Sequence, residues 1–241
     1  MSNTKPLSSD IYSNAGFAQQ YAQNIIDNAW NAYYERPASL SLLPADLHGK
    51  TILDAGCGPG ITTAYFLDRG ALVTGIDYSE AMLSIAQTRT KRRVTLMRHD
   101  LNQELKMFEA SSFDIIYCSL VIHYIDDLTV LFKEFSRVLK PGGILVFSTD
   151  HPDAPFVKAI PVTGREKKSF FWDGYGIYMD AYMRPWHHIT ESLAANKLPI
   201  EKTIDPVPTK DCRVKFPDIY ERLMANPNFI CVRAINTKVS V

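Results

Sequence analysis

The sequence lacks several features that would narrow its function at once, beginning with charge of one sign. Its 26 lysines and arginines are matched by 26 aspartates and glutamates, so the formal net charge is zero. A neutral chain has no overall attraction to nucleic acid or to an anionic membrane surface. We therefore expect a small molecule as its partner and no nucleic acid.

Paired cysteines and long apolar runs are also missing. Cys57, Cys118, Cys212 and Cys231 are scattered, with no CxxC pair and no zinc-ligand spacing, which predicts reduced thiols and no metal site. The opening MSNTKPLSSD has no apolar signal-peptide core, and no run approaches the roughly 20 apolar residues that span a bilayer. We expect a cytoplasmic protein without a membrane span, either a monomer or a homodimer.

Glycine is scarce, and that makes one cluster informative. Only 12 of 241 residues are glycine, yet three stand at alternate positions in TILDAGCGPGIT, residues 51–62. The pattern predicts a buried strand over 51–55 and a helix over 61–68. A glycine turn between them allows positive φ and close approach of a ligand to the backbone, at the carboxyl edge of a sheet. The glycines alone leave the nucleotide open, because dehydrogenases use the same device.

An acidic residue at the end of the next strand narrows the choice. Asp77 follows a strand predicted over 71–76 and stands 21 positions after Gly56, where an acid reaches the ribose hydroxyls of an adenosine. The loop reads Gly-x-Gly-x-Gly, contains Pro59, and is preceded by Asp54, whose charge would repel a pyrophosphate. These details favour an adenosine that carries positive charge over NAD.

The remaining pattern alternates strands with helices. Strands are predicted over 94–97, 113–119 and 144–149, and helices over 79–88 and 127–139. Apolar runs joined by short links indicate a parallel sheet covered on both faces. The fold class is therefore an α/β, Rossmann-like doubly wound sheet with helices on both faces.

Two aromatic-rich segments flank this core. Residues 17–43 carry a helical pattern that Pro37 is expected to break, and residues 150–186 are read as an insertion over the ligand edge of the sheet. Later, a helix is predicted over 189–195 and strands over 200–204 and 229–235. We predict a single domain over 1–241, made of an N-terminal helical lid (1–49), a core (50–149), a substrate-covering insertion (150–186) and a C-terminal part of the sheet (187–241).

Five motifs together resemble the class I S-adenosylmethionine-dependent methyltransferases over roughly residues 50–150. They are Asp54-Ala-Gly56-Cys-Gly58-Pro-Gly60, Asp77, Asp100-Leu101, the run from Phe113 to Leu120, and Leu139-Lys-Pro141-Gly142-Gly143. A looser likeness to bacterial small-molecule methyltransferases related to the ubiquinone and menaquinone C-methyltransferases includes Tyr34-Glu35-Arg36-Pro37 and Arg184-Pro185.

The resemblance implies S-adenosyl-L-methionine as cofactor, S-adenosyl-L-homocysteine as its product, and an antiparallel last strand. It also implies a set of cofactor-binding residues: Asp54, Gly56 and Gly58 at the methionyl part, Asp77 at the ribose, Tyr78, Met82, Asp100 and Leu101 at the adenine, and Ser119 and Leu120 on the methyl-donor side.

The acceptor is less defined. Methyl transfer is an in-line displacement that needs alignment and exclusion of water, and we expect a small, partly apolar acceptor methylated on oxygen, nitrogen or carbon. The candidate substrate residues are Tyr12, Tyr21 and Tyr33 from the lid, Trp172 and Tyr182 from the insertion, and His187.

A general base is needed only if the acceptor is a hydroxyl or an acidic carbon. His151, directly after the fifth strand, is the candidate, because its charge can change near neutral pH. His123 stands among Val121, Ile122 and Tyr124, which favours a structural role.

Two other functions stay open at this point: a catalytically inactive cofactor-binding interaction module, and an NAD-dependent dehydrogenase.

Overall fold

The computed structural model describes residues 8–239, and its centre is a seven-stranded sheet with a separate two-stranded hairpin. The strands are β1 (Thr51–Ala55), β2 (Leu72–Asp77), β3 (Thr95–Arg98), β4 (Phe113–Ser119), β5 (Leu139–Asp150), β6 (Glu166–Trp172), β7 (Ile177–Met183), β8 (Ile200–Ile204) and β9 (Phe229–Ile235).

Ten α-helices are present among the described residues. They are α1 (Ser8–Ser13), α2 (Ala15–Asn24), α3 (Arg36–Leu40), α4 (Ile61–Leu67), α5 (Glu80–Arg89), α6 (Leu128–Val138), α7 (Pro155–Lys158), α8 (Trp186–Ala195), α9 (Lys210–Lys215) and α10 (Pro217–Ala225). A π-helical segment, Asn31–Glu35, precedes α3, and a 3₁₀ turn, Ile122–Tyr124, follows β4.

The strand order confirms the predicted fold class. The sheet runs β3-β2-β1-β4-β5-β9-β8. The first five strands pair in parallel, and β9 is antiparallel to both β5 and β8. Because the order reverses direction between β1 and β4, their carboxyl ends open a crevice of the kind in which doubly wound sheets bind ligands.

The core lies on both faces of this sheet, as the continuous apolar strands predict. In β1, Leu53 packs in one cluster with Phe132 of α6, while its neighbour Ile52 packs in another with Phe66 of α4. Successive strand residues point to opposite faces, so a strand buried on both sides needs an unbroken apolar run. Asp127 caps α6 by accepting a hydrogen bond from the Thr129 N–H at 2.8 Å.

The lid follows the prediction in part. The expected break at Pro37 is wrong: Pro37 lies in the first turn of α3, which continues directly from the π-helical segment. The Arg36 N–H bonds to the Asn31 carbonyl, five residues earlier. Proline has no N–H and crowds the preceding turn, and a wider π turn immediately before it is compatible with both constraints.

Two further differences concern segments without a sharp sequence signal. The insertion contains an antiparallel hairpin, β6 with β7, and the link between β8 and β9 carries α9 and α10. The fifth strand is also longer than the predicted 144–149, because its first residue, Leu139, already pairs with Phe113 of β4 across a bulge.

The lid is tied to both other parts of the fold. The Ser79 hydroxyl, which caps α5, also donates to the Tyr12 carbonyl at 2.7 Å. The Ser8 hydroxyl donates to the Asp180 carbonyl and accepts from its N–H, at 2.6 and 2.7 Å. These bonds place the first helix over the carboxyl edge of the sheet.

Between residues 8 and 239, no helix has the length and apolar character needed to cross a membrane.

Candidate active site

Two adjoining cavities lie at the carboxyl edge of the sheet. The first has a volume of about 670 Å³ and the second about 820 Å³. The residues that line both are Tyr12, Tyr21, Ile25, Asn31 and Leu120. We call this set the shared wall. Four of its five members come from the lid, so the lid forms most of the boundary at which the two cavities meet.

The first cavity brings together every residue that the resemblance assigned to cofactor binding. Its lining includes Asp54, Gly56, Gly58, Asp77, Tyr78, Met82, Asp100, Leu101, Ser119 and Leu120. These residues lie at, or shortly after, the carboxyl ends of β1 to β4. The structure places these residues around one cavity, and the part of the cofactor that each would bind stays a prediction.

The glycine loop is held by the strand next to it. The N–H groups of Gly56 and Cys57 donate to the Ile76 carbonyl at 2.8 and 3.0 Å, and the Gly58 N–H donates to Asp77 Oδ2 at 2.8 Å. These three donors are therefore engaged within the protein. Because a pyrophosphate binds through free loop N–H groups, the loop is poorly suited to a dinucleotide.

Gly56 has to be glycine because a side chain there would collide with Val121, and glycine at Gly58 leaves the backbone accessible to a ligand. Both have positive φ, at 76° and 51°. A Cβ on Gly56 would lie 2.4 Å from Cγ2 of Val121, whereas a Cβ on Gly58 would meet nothing within 4 Å. The bare backbone at Gly58 faces open space, into which a ligand can approach closely.

Asp77 organises the turn and keeps accepting capacity. One oxygen accepts from the Gly58 N–H, and the other accepts from the Ser79 N–H at 2.8 Å. A carboxylate has about four lone-pair sites, so two remain for hydroxyl donors. Burial raises the pKa of Asp77 above its ordinary value.

Asp54 is a buried acid that forms no ion pair with any residue between 8 and 239. It is 2% exposed, and its Oδ2 accepts from the hydroxyls of Thr62 and Thr63 at 2.9 and 2.7 Å. Burial and, to a smaller extent, the charge of Asp77 raise the pKa of Asp54 to about 6 against the lowering effect of the two threonine hydrogen bonds. A ligand ammonium group would offset this cost by pairing with the charged form.

Two residues of the first cavity were quoted in the sequence but given no role. Glu35 is 1% exposed, and its Oε1 accepts from the hydroxyls of Ser119 and Ser148 at 2.8 and 2.6 Å. Burial raises the pKa of Glu35. Arg36 lines the same cavity and donates to the Ile25 carbonyl at 2.8 Å. The string Tyr34-Glu35-Arg36-Pro37 was their only signal, and the π-helical turn that aims them is not visible in the sequence.

Leu120 in the shared wall has a strained backbone. Its φ is +54°, and its N–H donates to the carbonyl and the hydroxyl of Ser148 at 3.2 and 3.0 Å. A left-handed conformation is unfavourable for leucine and concentrates at functional sites. It turns the chain from β4 into the 3₁₀ turn beneath both cavities.

The predicted substrate residues divide between the cavities and other places. Tyr12 and Tyr21 line both cavities, Trp172 lines the second, and Tyr182 lines the first. Burial raises the pKa of Tyr21 to about 12, so its hydroxyl stays neutral. The Tyr12 hydroxyl is 3.2 Å from that of Tyr124.

Tyr33 and His187 are not brought to either cavity in the described part of the chain. Tyr33 bonds to Asp27 and Lys215 and packs against Phe216. The His187 ring packs edge-on against His188, with centroids 4.5 Å apart. Their sequence positions beside the lid and the insertion did not determine which way the side chains point.

His151, the predicted general base, also lines neither cavity within residues 8–239. It is 7% exposed, its Nδ1 accepts from the Asp153 N–H at 2.9 Å, and its Nε2 lies 3.2 Å from Asp205 Oδ1. Both ring nitrogens are engaged. The preceding residue, Asp150, does line the second cavity, as expected when neighbouring residues at a strand end point in opposite directions.

The second cavity is rich in aromatic side chains. Its rings include Phe156, Phe170, Phe171, Trp172, Tyr175, Phe216 and Phe229. His123 and Asp150 are among its polar members. A cavity of this size that combines aromatic rings with asparagine side chains, Asp150 and Arg222 suits a small organic molecule with an apolar body and polar groups.

A comparison with known proteins matches the central part of the chain. Residues 53–147 match a family model described as a methyltransferase domain. A ubiquinone biosynthesis O-methyltransferase from Hahella chejuensis is 39% identical over 113 residues, covering 44% of this chain and 45% of that protein. A malonyl-[acyl-carrier protein] O-methyltransferase from Enterobacter lignolyticus is 35% identical over 114 residues, covering 46% and 43%.

A solved structure is similar over most of the chain. The crystal structure of an S-adenosylmethionine-dependent methyltransferase from Mesorhizobium loti has a TM-score of 0.69 and 27% identity, covering 88% of this chain and 100% of that one. The chain spans about half the length, or less, of the curated relatives it matches.

Proposed function

The chain belongs to the class I S-adenosylmethionine-dependent methyltransferases, and from that premise we propose that it methylates a small, partly apolar molecule bound in the second cavity. The observation that carries the proposal is the shared wall. A cavity lined by the ten expected cofactor residues and an aromatic cavity meet at Tyr12, Tyr21 and Leu120, so a methyl donor and an acceptor could meet there.

In the first cavity, the residues fit the cofactor part by part. Asp77 would accept from the ribose hydroxyls through its remaining lone pairs, and Asp54 would face the methionyl ammonium group. Gly58 leaves room for the ligand against the backbone. Arg36 supplies a cation in the same cavity, suited to the methionyl carboxylate.

When bound, S-adenosylmethionine supplies an activated methyl group on a sulfonium. The protein has to align the acceptor and exclude water, since proximity and orientation are its main contributions. Tyr12 and Tyr21 place aromatic faces at the boundary, where they could stabilise positive charge. The lid covers the site through its bonds to Ser79 and Asp180.

The two other functions considered from the sequence have less support. The loop donors that a dinucleotide would need are taken by Ile76 and Asp77, which disfavours an NAD-dependent dehydrogenase. An interaction module without catalysis would have no need of an acceptor cavity, and a well-formed one adjoins the first.

Titration calorimetry tests the proposal. We expect S-adenosylhomocysteine to bind with micromolar affinity and NAD to give no heat. Heat from NAD alone would end the methyltransferase assignment. Transfer of labelled methyl groups from S-adenosylmethionine to quinols, phenols, amines and carboxylates would then identify the acceptor class.

Several expectations accompany the proposal as predictions of their own: that residues 1–241 form one domain, that the protein is a cytoplasmic monomer or homodimer, and that it acts without nucleic acid.

A further inference from the structure

We propose that the methyl acceptor is an organic amine, and that the Asp150 carboxylate binds its positively charged nitrogen within the second cavity. The inference rests on the proposed function and narrows the acceptor to one chemical class. It also gives Asp150 a role in binding the acceptor.

Asp150 carries a carboxylate that the described part of the chain leaves without a partner. It lines the second cavity and forms no hydrogen bond or ion pair with any residue between 8 and 239. The residue is only partly buried, and both of its carboxylate oxygens keep accessible surface. Because it is unfavourable to remove a charge from bulk water without a partner, a cationic group of a ligand would offset that cost.

The acids of the first cavity differ from Asp150 in this respect. Asp54 and Glu35 accept hydrogen bonds from hydroxyl groups, and Asp77 accepts from backbone N–H groups. A carboxylate has about four lone-pair sites. Those three acids use part of this capacity within the protein, whereas Asp150 keeps all of it for a ligand.

The position of Asp150 brings its charge close to the first cavity. Asp150 is the last residue of β5, two residues after Ser148, and strand residues two apart point to the same face at a spacing of roughly 7 Å. The Ser148 hydroxyl donates to Glu35 of the first cavity at 2.6 Å and accepts from the N–H of Leu120 in the shared wall at 3.0 Å. A nitrogen bound at Asp150 would therefore lie beside the boundary between the two cavities.

The other charges around the second cavity do not neutralise Asp150. Within residues 8–239, the one other lining residue with a permanent charge is Arg222, which is exposed and lies over the Trp30 ring, 5.8 Å from its centroid. No ion pair joins Arg222 to Asp150 in that range. His123 also lines the cavity, but burial lowers its pKa and keeps it neutral near pH 7. Burial raises the pKa of Asp150, and a bound ammonium group would favour its charged form.

Aromatic rings line the same cavity. Phe229 pairs directly with Asp150 across β5 and β9, and side chains of directly opposite residues lie on one face with Cβ atoms about 5 Å apart. Elsewhere in the lining, Tyr21, Trp172 and Tyr175 pack on one another, with ring centroids 5.7, 6.2 and 6.5 Å apart. The faces of such rings attract cations, most strongly where water is excluded. A carboxylate combined with aromatic faces therefore suits an organic cation with an apolar body.

The same features disfavour other acceptors. An acceptor carboxylate would be repelled by the charge of Asp150 at the boundary between the cavities. A neutral hydroxyl group could donate to Asp150, but a hydrogen bond between two ionised groups is about twice as strong as one between neutral groups. A hydroxyl therefore gains less from this site than an amine of the same shape.

The experiment uses tryptamine and tryptophol as a matched pair of probes. They share an indole ring and differ in ending with an amine, which is protonated at neutral pH, or with a hydroxyl group. By calorimetry on the whole chain saturated with S-adenosylhomocysteine, we expect tryptamine to bind at least roughly tenfold more tightly than tryptophol. In Asp150→Asn and Asp150→Ser this preference should disappear through weaker binding of tryptamine, while affinity for tryptophol stays within about twofold of the wild type.

A matched control separates this effect from general damage. Asp153→Asn makes the same change three residues away, at an exposed carboxylate paired with Lys158. It should keep the wild-type preference for tryptamine. Calorimetry with S-adenosylhomocysteine alone checks that each variant retains a folded first cavity.

Each result has a distinct meaning. If tryptamine binds no more tightly than tryptophol, or neither probe binds, while S-adenosylhomocysteine binds normally, the inference about Asp150 is wrong and the methyltransferase assignment stands. The same conclusion follows if the preference survives in both Asp150 variants. If S-adenosylhomocysteine does not bind to the wild type, the proposed function itself fails.

Discussion

The two cavities differ in how the chain builds them. The first is lined mainly by residues that follow strand ends between Asp54 and Leu120, and its loop is fixed by bonds to β2. The second is assembled from the lid, the insertion and the region around Phe216 and Phe229, which are far apart in sequence. The cavity for the methyl donor is therefore built mainly from short local motifs, whereas the cavity for the methyl acceptor is built from distant segments that meet only in the folded protein.

The largest expected effect is the loss of cofactor affinity in Gly56→Ala, which should disrupt the first cavity and leave the second unchanged. In Gly56→Ala the new Cβ would collide with Val121 at 2.4 Å, in a backbone with φ of +76°. Overpacking costs about 1–3 kcal/mol and left-handed strain about 1–2 kcal/mol, so we expect affinity for S-adenosylhomocysteine to fall by roughly a hundredfold by calorimetry.

Gly142→Ala is the control for Gly56→Ala. Gly142 has a similar φ of +74°, but a Cβ there meets nothing within 4 Å, and the residue lines neither cavity of the described chain. It should lower the melting temperature slightly and leave binding unchanged. Equal losses in both variants would mean that strain, and not the shape of the loop, controls binding.

A smaller effect is expected from Asp77→Ala. The change removes the acceptor for the Gly58 and Ser79 N–H groups and the proposed contact with the ribose. Charge-assisted hydrogen bonds are worth about twice neutral ones, so calorimetry should record at least a roughly tenfold weaker binding of S-adenosylhomocysteine. Asp68→Ala, at an exposed aspartate that pairs with Arg93, is the control. Unchanged affinity in Asp77→Ala would refute its assignment.

Trp172→Ala should weaken binding in the second cavity and leave cofactor binding in the first cavity unchanged, the reverse of Gly56→Ala and Asp77→Ala. Trp172 lines the second cavity and packs against Tyr21 and Tyr175. Removing this half-buried aromatic wall should weaken binding of tryptamine to the S-adenosylhomocysteine complex by roughly tenfold. Affinity for S-adenosylhomocysteine itself should stay within about twofold of the wild type.

Tyr178→Ala is the comparison for Trp172→Ala. Tyr178 lies on the same hairpin and is 50% exposed. It should alter neither binding event, and a loss of cofactor affinity in Trp172→Ala would show that the two cavities are not separable.

The smallest effect concerns pH. The pKa of Asp54 is raised to about 6 by burial, and a bound ammonium group would lower it again. Binding then releases a proton when the pH is below 6, so affinity for S-adenosylhomocysteine should rise with pH through that range. We expect a loss of roughly fivefold between about pH 7.5 and pH 5. In Asp54→Asn the affinity should be lower and the pH dependence absent.

Asp114→Asn is the control for the pH dependence assigned to Asp54. Although burial raises its pKa, hydrogen bonds from Thr51 and the charge of Lys140 bring it down to about 2. Asp114 is therefore charged throughout the range, and Asp114→Asn should leave the pH dependence of binding in place. Its loss in that variant would assign the titration to a group other than Asp54.

The first cavity could be predicted because its residues obey local rules. A parallel strand places the residues at and just beyond its carboxyl end in the crevice, so Asp54, Asp77, Asp100 and Ser119 fall there. The doubly wound, parallel character of the sheet could also be predicted, because apolar runs of strand length alternate with helices.

The second cavity could not be predicted in the same way, because side-chain direction decides it. His151 and Asp150 are neighbours, yet only Asp150 lines the cavity, while the ring of His151 is held by Asp153 and Asp205. His123 stands among apolar residues, a pattern typical of a packed histidine, but the 3₁₀ turn brings it to the cavity. Neither the bend at Leu120 nor the π-helical turn before Pro37 has a reliable sequence signal.

The division of labour in the shared wall has a consequence for how such a protein can acquire new substrates. Tyr12 and Tyr21 serve both cavities, so a mutation there alters donor and acceptor together. The hairpin residues Phe170, Trp172 and Met179 line the second cavity. The same hairpin also contributes Lys167, Asp180 and Tyr182 to the first cavity. Randomising Phe170, Trp172 and Met179 while keeping those three residues could therefore change what is methylated and leave the donor site intact, which makes these positions the natural targets of a directed-evolution library.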